Sequence, residues 1–271
     1  FRRVLFRSGD NLNKVDYGNW VSAFMMKTII VLSSIFFILL VLSVLFLKIQ
    51  VISIILAIIF VVSLAFTIYM KICRNLLDFE KGGLMGKIHQ DVVNHLEWDG
   101  EGELLDIGCG SGALSICCAK RFSNSKVTGI DYWGTEWSFA KEQCENNAML
   151  EGVSSRTNFV KGDAANLDFE SESFDAAISN FVFHEVRSAK DKRDVVREAL
   201  RILKKGGSFC FQDLFSQKKL YGDMNEFCEE LKQSGIEEIH YIANTENNEF
   251  IPSYIKLPWM IKNVGMIYGK K

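Results

Sequence analysis

This 271-residue sequence predicts an α/β fold, a doubly wound seven-strand sheet, preceded by a transmembrane helical hairpin. Three observations carry that prediction. Two uncharged runs of 20 residues, 28–47 and 51–70, lie close to the start of the chain, with only Lys48-Ile49-Gln50 between them. Downstream, short apolar runs alternate with patterns of helical period, the order expected of strands and helices wound on both faces of one sheet. The first of those runs enters Gly108-Cys109-Gly110-Ser111-Gly112 and then a helical pattern, the strand, glycine loop and helix of a ligand-binding α/β unit.

The elements follow in chain order. Residues 1–8 read as a translated sequencing adapter and are set aside, and within the tail of residues 1–27 a start at Met25 or Met26 is one alternative and native residues 16–21 the other. Each 20-residue run reaches about 30 Å as a helix, the thickness of a bilayer core, so residues 28–70 form a hairpin of two spans. Lys14 and Lys27 precede it and Lys71, Arg74, Lys81 and Lys87 follow, against Lys48 alone in the turn, so both ends face the cytoplasm. Residues 71–86 are the linker. Sixteen residues extend to at most about 55 Å, which keeps the 87–271 domain at the membrane surface.

Within that domain residues 87–96 read as a helix, 103–107 as a buried strand and 113–121 as the helix after the glycine loop. Residues 126–130 form a second strand ending in Asp131, and Ala140, Cys144 and Ala148 recur every four residues on the next helix. Strands at 157–161 and 174–179 follow, then an amphipathic helix over 191–204 closed by Gly206-Gly207. A strand at 208–214, a helix at 223–234 and closing strands at 237–242 and 264–268 complete the set.

Composition narrows the function. Charge is split, +4 over residues 1–70 and −6 over the rest, so nucleic acid is a poor partner for the soluble part. The 7 cysteines include no C-x-x-C pair, and adjacent Cys117-Cys118 fit helix packing, so neither a metal site nor a redox pair is expected. There is no G-x-S-x-G elbow.

The glycine loop by itself admits two cofactors. Gly108, Gly110 and Ala113 satisfy the dinucleotide pattern, and Asp131 stands 21 residues after Gly110, near the spacing of a ribose-binding carboxylate. A nicotinamide-dependent oxidoreductase is therefore an alternative, although no tyrosine is followed four residues later by lysine, the acid/base pair of short-chain dehydrogenases. A catalytically silent, membrane-tethered cofactor-binding module is a second alternative.

Four blocks in order resemble the class I S-adenosylmethionine-dependent methyltransferases, particularly those of ubiquinone and menaquinone biosynthesis, over roughly residues 80–270. They are Leu104 to Gly112, Ile130-Asp131-Tyr132, Lys161-Gly162-Asp163-Ala164, and Phe174 to Glu185. The resemblance implies S-adenosyl-L-methionine as cofactor, held by Asp106, Gly108, Cys109, Gly110, Gly112, Asp131, Tyr132, Asp163, Ala164 and Asn180. In it, Asp131 takes the ribose hydroxyls, Asp163 with the Ala164 amide reads the adenine edge, and Asp106 offsets the sulfonium charge. No metal is needed. The Asn/Asp-Pro-Pro-Tyr/Phe block of enzymes that methylate nucleic-acid amino groups is absent.

His184, just past the fourth strand, is the candidate general base, because imidazole titrates near neutrality. The reading is a membrane-anchored methyltransferase acting on a small-molecule acceptor that is itself apolar and membrane-associated. The aromatic and basic stretch 250–262, with both prolines of the chain, either touches headgroups, frames the acceptor cleft or packs on the sheet as a connection.

Overall fold

The computed structural model describes residues 13–134 and 137–271. It divides into two compact units, one spanning Gly18–Met85, the other Gly86–Lys271 together with the segment that ends at Tyr17.

In the first unit, α1 (Ala23–Leu42) is capped by Ser22, whose hydroxyl accepts from the Met25 amide at 3.1 Å. One wide helical turn, Ser43–Leu47, closes on Lys48 in left-handed conformation (φ 53°), and α2 (Gln50–Leu76) returns. The two helices pack through Phe37 on Phe60, with ring centroids 5.2 Å apart, and through two serine rungs, Ser43 with Ser53 at 2.8 Å and Ser63 with Ser33 at 3.2 Å. Both are long and apolar enough to cross a membrane by length and composition. They extend past the uncharged runs, from Ala23 and to Leu76, so Lys27, Lys71 and Arg74 are helical. Charge ends an apolar run, but lysine and arginine are good helix formers and do not end the hydrogen-bond ladder.

The second unit is a seven-strand sheet in the order β3-β2-β1-β4-β5-β7-β6. Its strands are β1 (Gly102–Ile107), β2 (Ser125–Asp131), β3 (Thr157–Lys161), β4 (Phe174–Asn180), β5 (Leu203–Asp213), β6 (Glu238–Ala243) and β7 (Gly265–Lys270). The first five run parallel, and β7 is inserted antiparallel between β5 and β6. One face carries α3 (Leu84–Asn94), α4 (Ala113–Arg121) and α5 (Trp137–Leu150), packed by residues such as Val92, Leu114, Cys118 and Ala148 against Leu104, Ala176 and Cys210. The other carries α6 (Lys192–Arg201), the single turn α7 (Lys218–Tyr221) and α8 (Met224–Gln233), with Val195, Leu200, Phe227 and Leu231 on Leu105, Phe209 and Ile267. The sheet is buried on both sides, which is why its central strands read as apolar runs rather than alternations.

The helix expected to end at Gly206-Gly207 stops at Arg201, and those glycines lie instead within β5, at a register shift opposite 174–176 of β4. The amides of Ser173 and Phe174 take the Ile202 carbonyl at 2.8 and 3.0 Å, so the strand claims the chain before the glycines are reached. The 244–264 connection is pinned by the buried Glu246 carboxylate, which accepts from the Asn263 and Val264 amides at 3.0 Å each. Ile251, Ile255 and Ile261 pack inward while Tyr254 and Trp259 stay exposed.

Candidate functional site

The candidate residues collect at the carboxyl ends of β1, β2, β3 and β4, around the point between β1 and β4 where the strand order reverses. The glycine loop between β1 and α4 turns through three left-handed residues, Gly108, Gly110 and Gly112, at φ 79°, 57° and 82°. Their needs differ. A Cβ on Gly108 would meet Val182 at 2.2 Å, so that glycine is required by packing, whereas a Cβ on Gly110 would meet nothing within 4 Å. Gly110 therefore borders open space at the place a ligand is expected.

Four of the five loop amides are already committed. Gly108 and Cys109 donate to the Ile130 carbonyl at 2.8 Å, Gly112 to the Cys109 carbonyl at 2.8 Å, and Gly110 to Oδ2 of Asp131 at 2.9 Å. A pyrophosphate needs free N–H groups at such a loop. Oxygen acceptors suit a cationic ligand instead, and one stands ready: Oδ1 of Asn180, at the end of β4, is buried with no hydrogen-bond partner among the described residues. An unpaired buried carbonyl costs the fold and is satisfied by a ligand that brings a donor.

Asp131 closes the loop from the end of β2. Oδ2 holds the Gly110 amide and Oδ1 the Trp133 amide at 3.0 Å. A carboxylate offers about four lone-pair directions, so two remain for ligand hydroxyls. Trp133 was not singled out by sequence. It adopts φ 46° and turns its indole N–H onto the Gly110 carbonyl at 2.8 Å, a second tie between β2 and the loop. Tyr132 is exposed, with the Lys161 ammonium 5.4 Å over its ring.

Asp106 lies beneath the loop and is 1% exposed. Ser115 donates to its Oδ2 at 2.5 Å. Burial pushes its carboxyl up to about 7, with the Asp131 charge adding to the rise and the Ser115 bond opposing it. The structure thus gives the Asp106 carboxyl to Ser115 at the start of α4 rather than to open space. Cys109 is likewise buried, its thiol pushed up by desolvation.

After β3, Oδ1 of Asp163 is used by the Ala165 amide and the Ser188 hydroxyl, both at 2.9 Å, which holds the turn that presents its other oxygen. The Ala164 side chain is packed into the core.

His184 stands in the short turn Phe183–Glu185 beyond β4 and has a partner set that sequence did not reveal. Nδ1 lies 2.9 Å from Oδ1 of Asp213, a carboxylate 1% exposed at the end of β5. Tyr221 donates its hydroxyl to the same oxygen at 3.0 Å, and the Leu214 amide at 2.6 Å. Burial and the adjacent carboxylate push the Tyr221 phenol up, so it remains a donor. A carboxylate only accepts, so the proton of neutral His184 sits on Nδ1 and Nε2 keeps its lone pair. Asp213 and Tyr221 are 29 and 37 residues from His184, a separation without periodic signal. Among the described residues no group of three His, Cys, Asp or Glu side chains is arranged to hold a metal.

Comparison with known proteins finds methyltransferases. Residues 105–211 match the family model described as methyltransferase domain. An arsenite methyltransferase of Aquipseudomonas alcaligenes is 31% identical over 128 residues, 46% of this chain and 36% of that protein. A sterol 24-C-methyltransferase of Aspergillus fumigatus is 32% identical over 45% of this chain and 30% of its own length. The cycloartenol-C-24-methyltransferase of Arabidopsis thaliana is 30% identical over 57% and 50%. The chain thus spans about a third to a half of the length of these relatives. In fold it resembles the geranyl diphosphate C-methyltransferase of Streptomyces coelicolor A3(2), with a TM-score of 0.50 at 16% identity over 71% of this chain and 81% of that one.

Proposed function

We propose that this chain, which carries a class I S-adenosylmethionine-dependent methyltransferase domain, transfers a methyl group to an apolar small-molecule acceptor at a membrane. The observation that carries the reading is the glycine loop, open above Gly110, with four of its five amides spent and an unpaired buried carbonyl on Asn180 at the end of β4. Spent loop amides and a waiting acceptor suit a cationic cofactor better than a dinucleotide. S-adenosylmethionine, when bound, supplies a methyl carbon on a positively charged sulfur.

The chain's own residues have the following parts. Asp131 accepts from ribose hydroxyls, the Asp163–Ala164 turn reads the adenine edge, and Oδ1 of Asn180 accepts from the ammonium of the methionine moiety. The fold aligns the acceptor and keeps water out, which is most of what a direct displacement requires. Where the acceptor loses a proton, Nε2 of His184 takes it, the ring being fixed through Nδ1 by Asp213.

The membrane part of the proposal is supported by the two long apolar helices and by the exposed Tyr254 and Trp259 of the 244–264 connection. Basic residues flanking the helices favour a cytoplasmic domain. The relatives act on sterols and arsenite by name, and an apolar acceptor fits the first of these. The test is to incubate the full chain in detergent with S-adenosylmethionine labelled on its methyl, with membrane lipid extract or with cytosolic metabolites. Label in a lipid product is expected. Label confined to a soluble metabolite refutes the membrane acceptor, and no label in either, with no S-adenosylhomocysteine binding, refutes the methyltransferase.

A further inference from the structure

We infer that Asn147 and the Asp16–Tyr17 strap are positioning elements of the cofactor loop, so that cofactor affinity depends on a segment lying immediately ahead of the first apolar helix. The inference rests on the reading of the glycine loop as the cofactor cradle. Asn147 sits on α5 and is fully buried. Its amide is a two-sided clamp. Oδ1 accepts from the Asp16 amide at 2.9 Å, and Nδ2 donates both to the Asp16 carbonyl at 2.8 Å and to the Ser111 carbonyl at 3.0 Å. One side chain therefore ties the strap to the centre of Gly108-Cys109-Gly110-Ser111-Gly112.

The loop returns the contact, since the Ser111 hydroxyl donates to the Tyr17 carbonyl at 2.8 Å. Gln143, one turn earlier on α5, donates to the Asp16 carbonyl at 2.5 Å. Tyr17 packs its ring on the core beneath α4 and α5 and donates its hydroxyl to Glu151 at 3.2 Å. Take the strap away and Asn147 keeps one of its three hydrogen bonds, so the amide that fixes the Ser111 carbonyl is no longer held from its other side. Because Gly110 is followed directly by Ser111, a shift at Ser111 moves the cradle floor and the Gly110 amide that Asp131 holds. Six residues after Tyr17 the chain enters α1, so this strap is the last stretch of the domain before that helix.

The experiment titrates S-adenosylhomocysteine calorimetrically into the full chain in detergent micelles, into N147A, into a chain lacking residues 1–17, and into the combination of the two changes. Each single change is expected to weaken binding about tenfold, and the combination no more than the weaker single, because strap and Asn147 act through one clamp. Equal affinity within twofold in both singles overturns the inference, and so does an additive combination. D16P removes the Asp16 N–H along with its side chain, so beside D16A it gives the same reading if N147A does not fold: affinity lost in D16P and kept in D16A supports the clamp, and any other outcome overturns it. Hydrogen exchange of residues 14–17 in the intact chain should slow when S-adenosylhomocysteine is saturating, and unchanged exchange also overturns the inference. An intact chain that takes up no S-adenosylhomocysteine refutes the methyltransferase reading itself, whereas an intact chain that binds beside variants that bind equally well refutes only the strap.

Discussion

Asp106→Asn isolates the electrostatic cost of the carboxyl under the glycine loop. The side chain is fully buried and its carboxyl is pushed up from 3.8 to about 7, chiefly by burial. Between those values the folded chain holds a proton that the unfolded chain has released, so raising pH through the window favours unfolding. A shift of this size corresponds to about 4 kcal/mol, present in full as stability below pH 4 and gone above pH 7. Asparagine keeps an oxygen for the Ser115 hydroxyl and cannot ionise. The difference in unfolding free energy between wild type and D106N should therefore change by about 4 kcal/mol from pH 4 to pH 8, in the direction that favours the variant at high pH. Urea denaturation of both proteins in the same detergent, followed by tryptophan fluorescence at pH steps across that range, measures it. Parallel stability curves would mean that Asp106 ionises in the folded chain as it does in water, and the account of a proton held beneath the loop would be wrong.

Three further outcomes follow from the site. Asp131→Ala removes the acceptor for the Gly110 and Trp133 amides as well as the expected ribose contact, and should weaken S-adenosylhomocysteine binding by about 1 to 3 kcal/mol; calorimetry showing unchanged affinity would displace Asp131 from the site. Gly110→Ala and Gly108→Ala share the strain of a side chain at positive φ but should separate, the first costing cofactor binding with the smaller loss of melting temperature, the second costing the fold because its Cβ also meets Val182 at 2.2 Å. The pair is checked by thermal melting beside ligand titration, and equal melting losses would contradict the open space over Gly110. Asp213→Asn should slow methyl transfer about a hundredfold or more with S-adenosylhomocysteine affinity intact, since the amide no longer enforces the Nδ1–H form of His184. The loss should shrink as pH rises and the acceptor ionises unaided; an equal loss at every pH would leave His184 and Asp213 with a structural part only.

Much of the domain was legible because its signals are local. Glycines at positive φ, an acid at a strand end and apolar runs buried on both faces are properties of a few consecutive residues, and the β1–loop–α4 unit and the strand ending in Asp131 could be placed from them. Boundaries were less so. The amphipathic helix ends at Arg201 rather than at the glycines because β4 takes the Ile202 carbonyl, a partner about 30 residues away in sequence. The hairpin helices outrun their uncharged stretches because hydropathy reports solvent and not hydrogen bonding.

The sequence by itself determined the class of fold, the order of the cofactor blocks and the two long apolar helices, since each depends on residue type and spacing along one stretch of chain. Only the tertiary structure decided how the loop's donors are spent. Whether the Gly110 amide faces a phosphate or Asp131, whether Asp106 sees a ligand or Ser115, and whether His184 has a carboxylate behind it all depend on which distant groups meet at the sheet's edge. The same holds for Asn147, an unremarkable residue on a helix until Asp16 and Ser111 close on its two ends. Spacing cannot specify such meetings, because they are set by the packing of the whole sheet and not by the period of any one element.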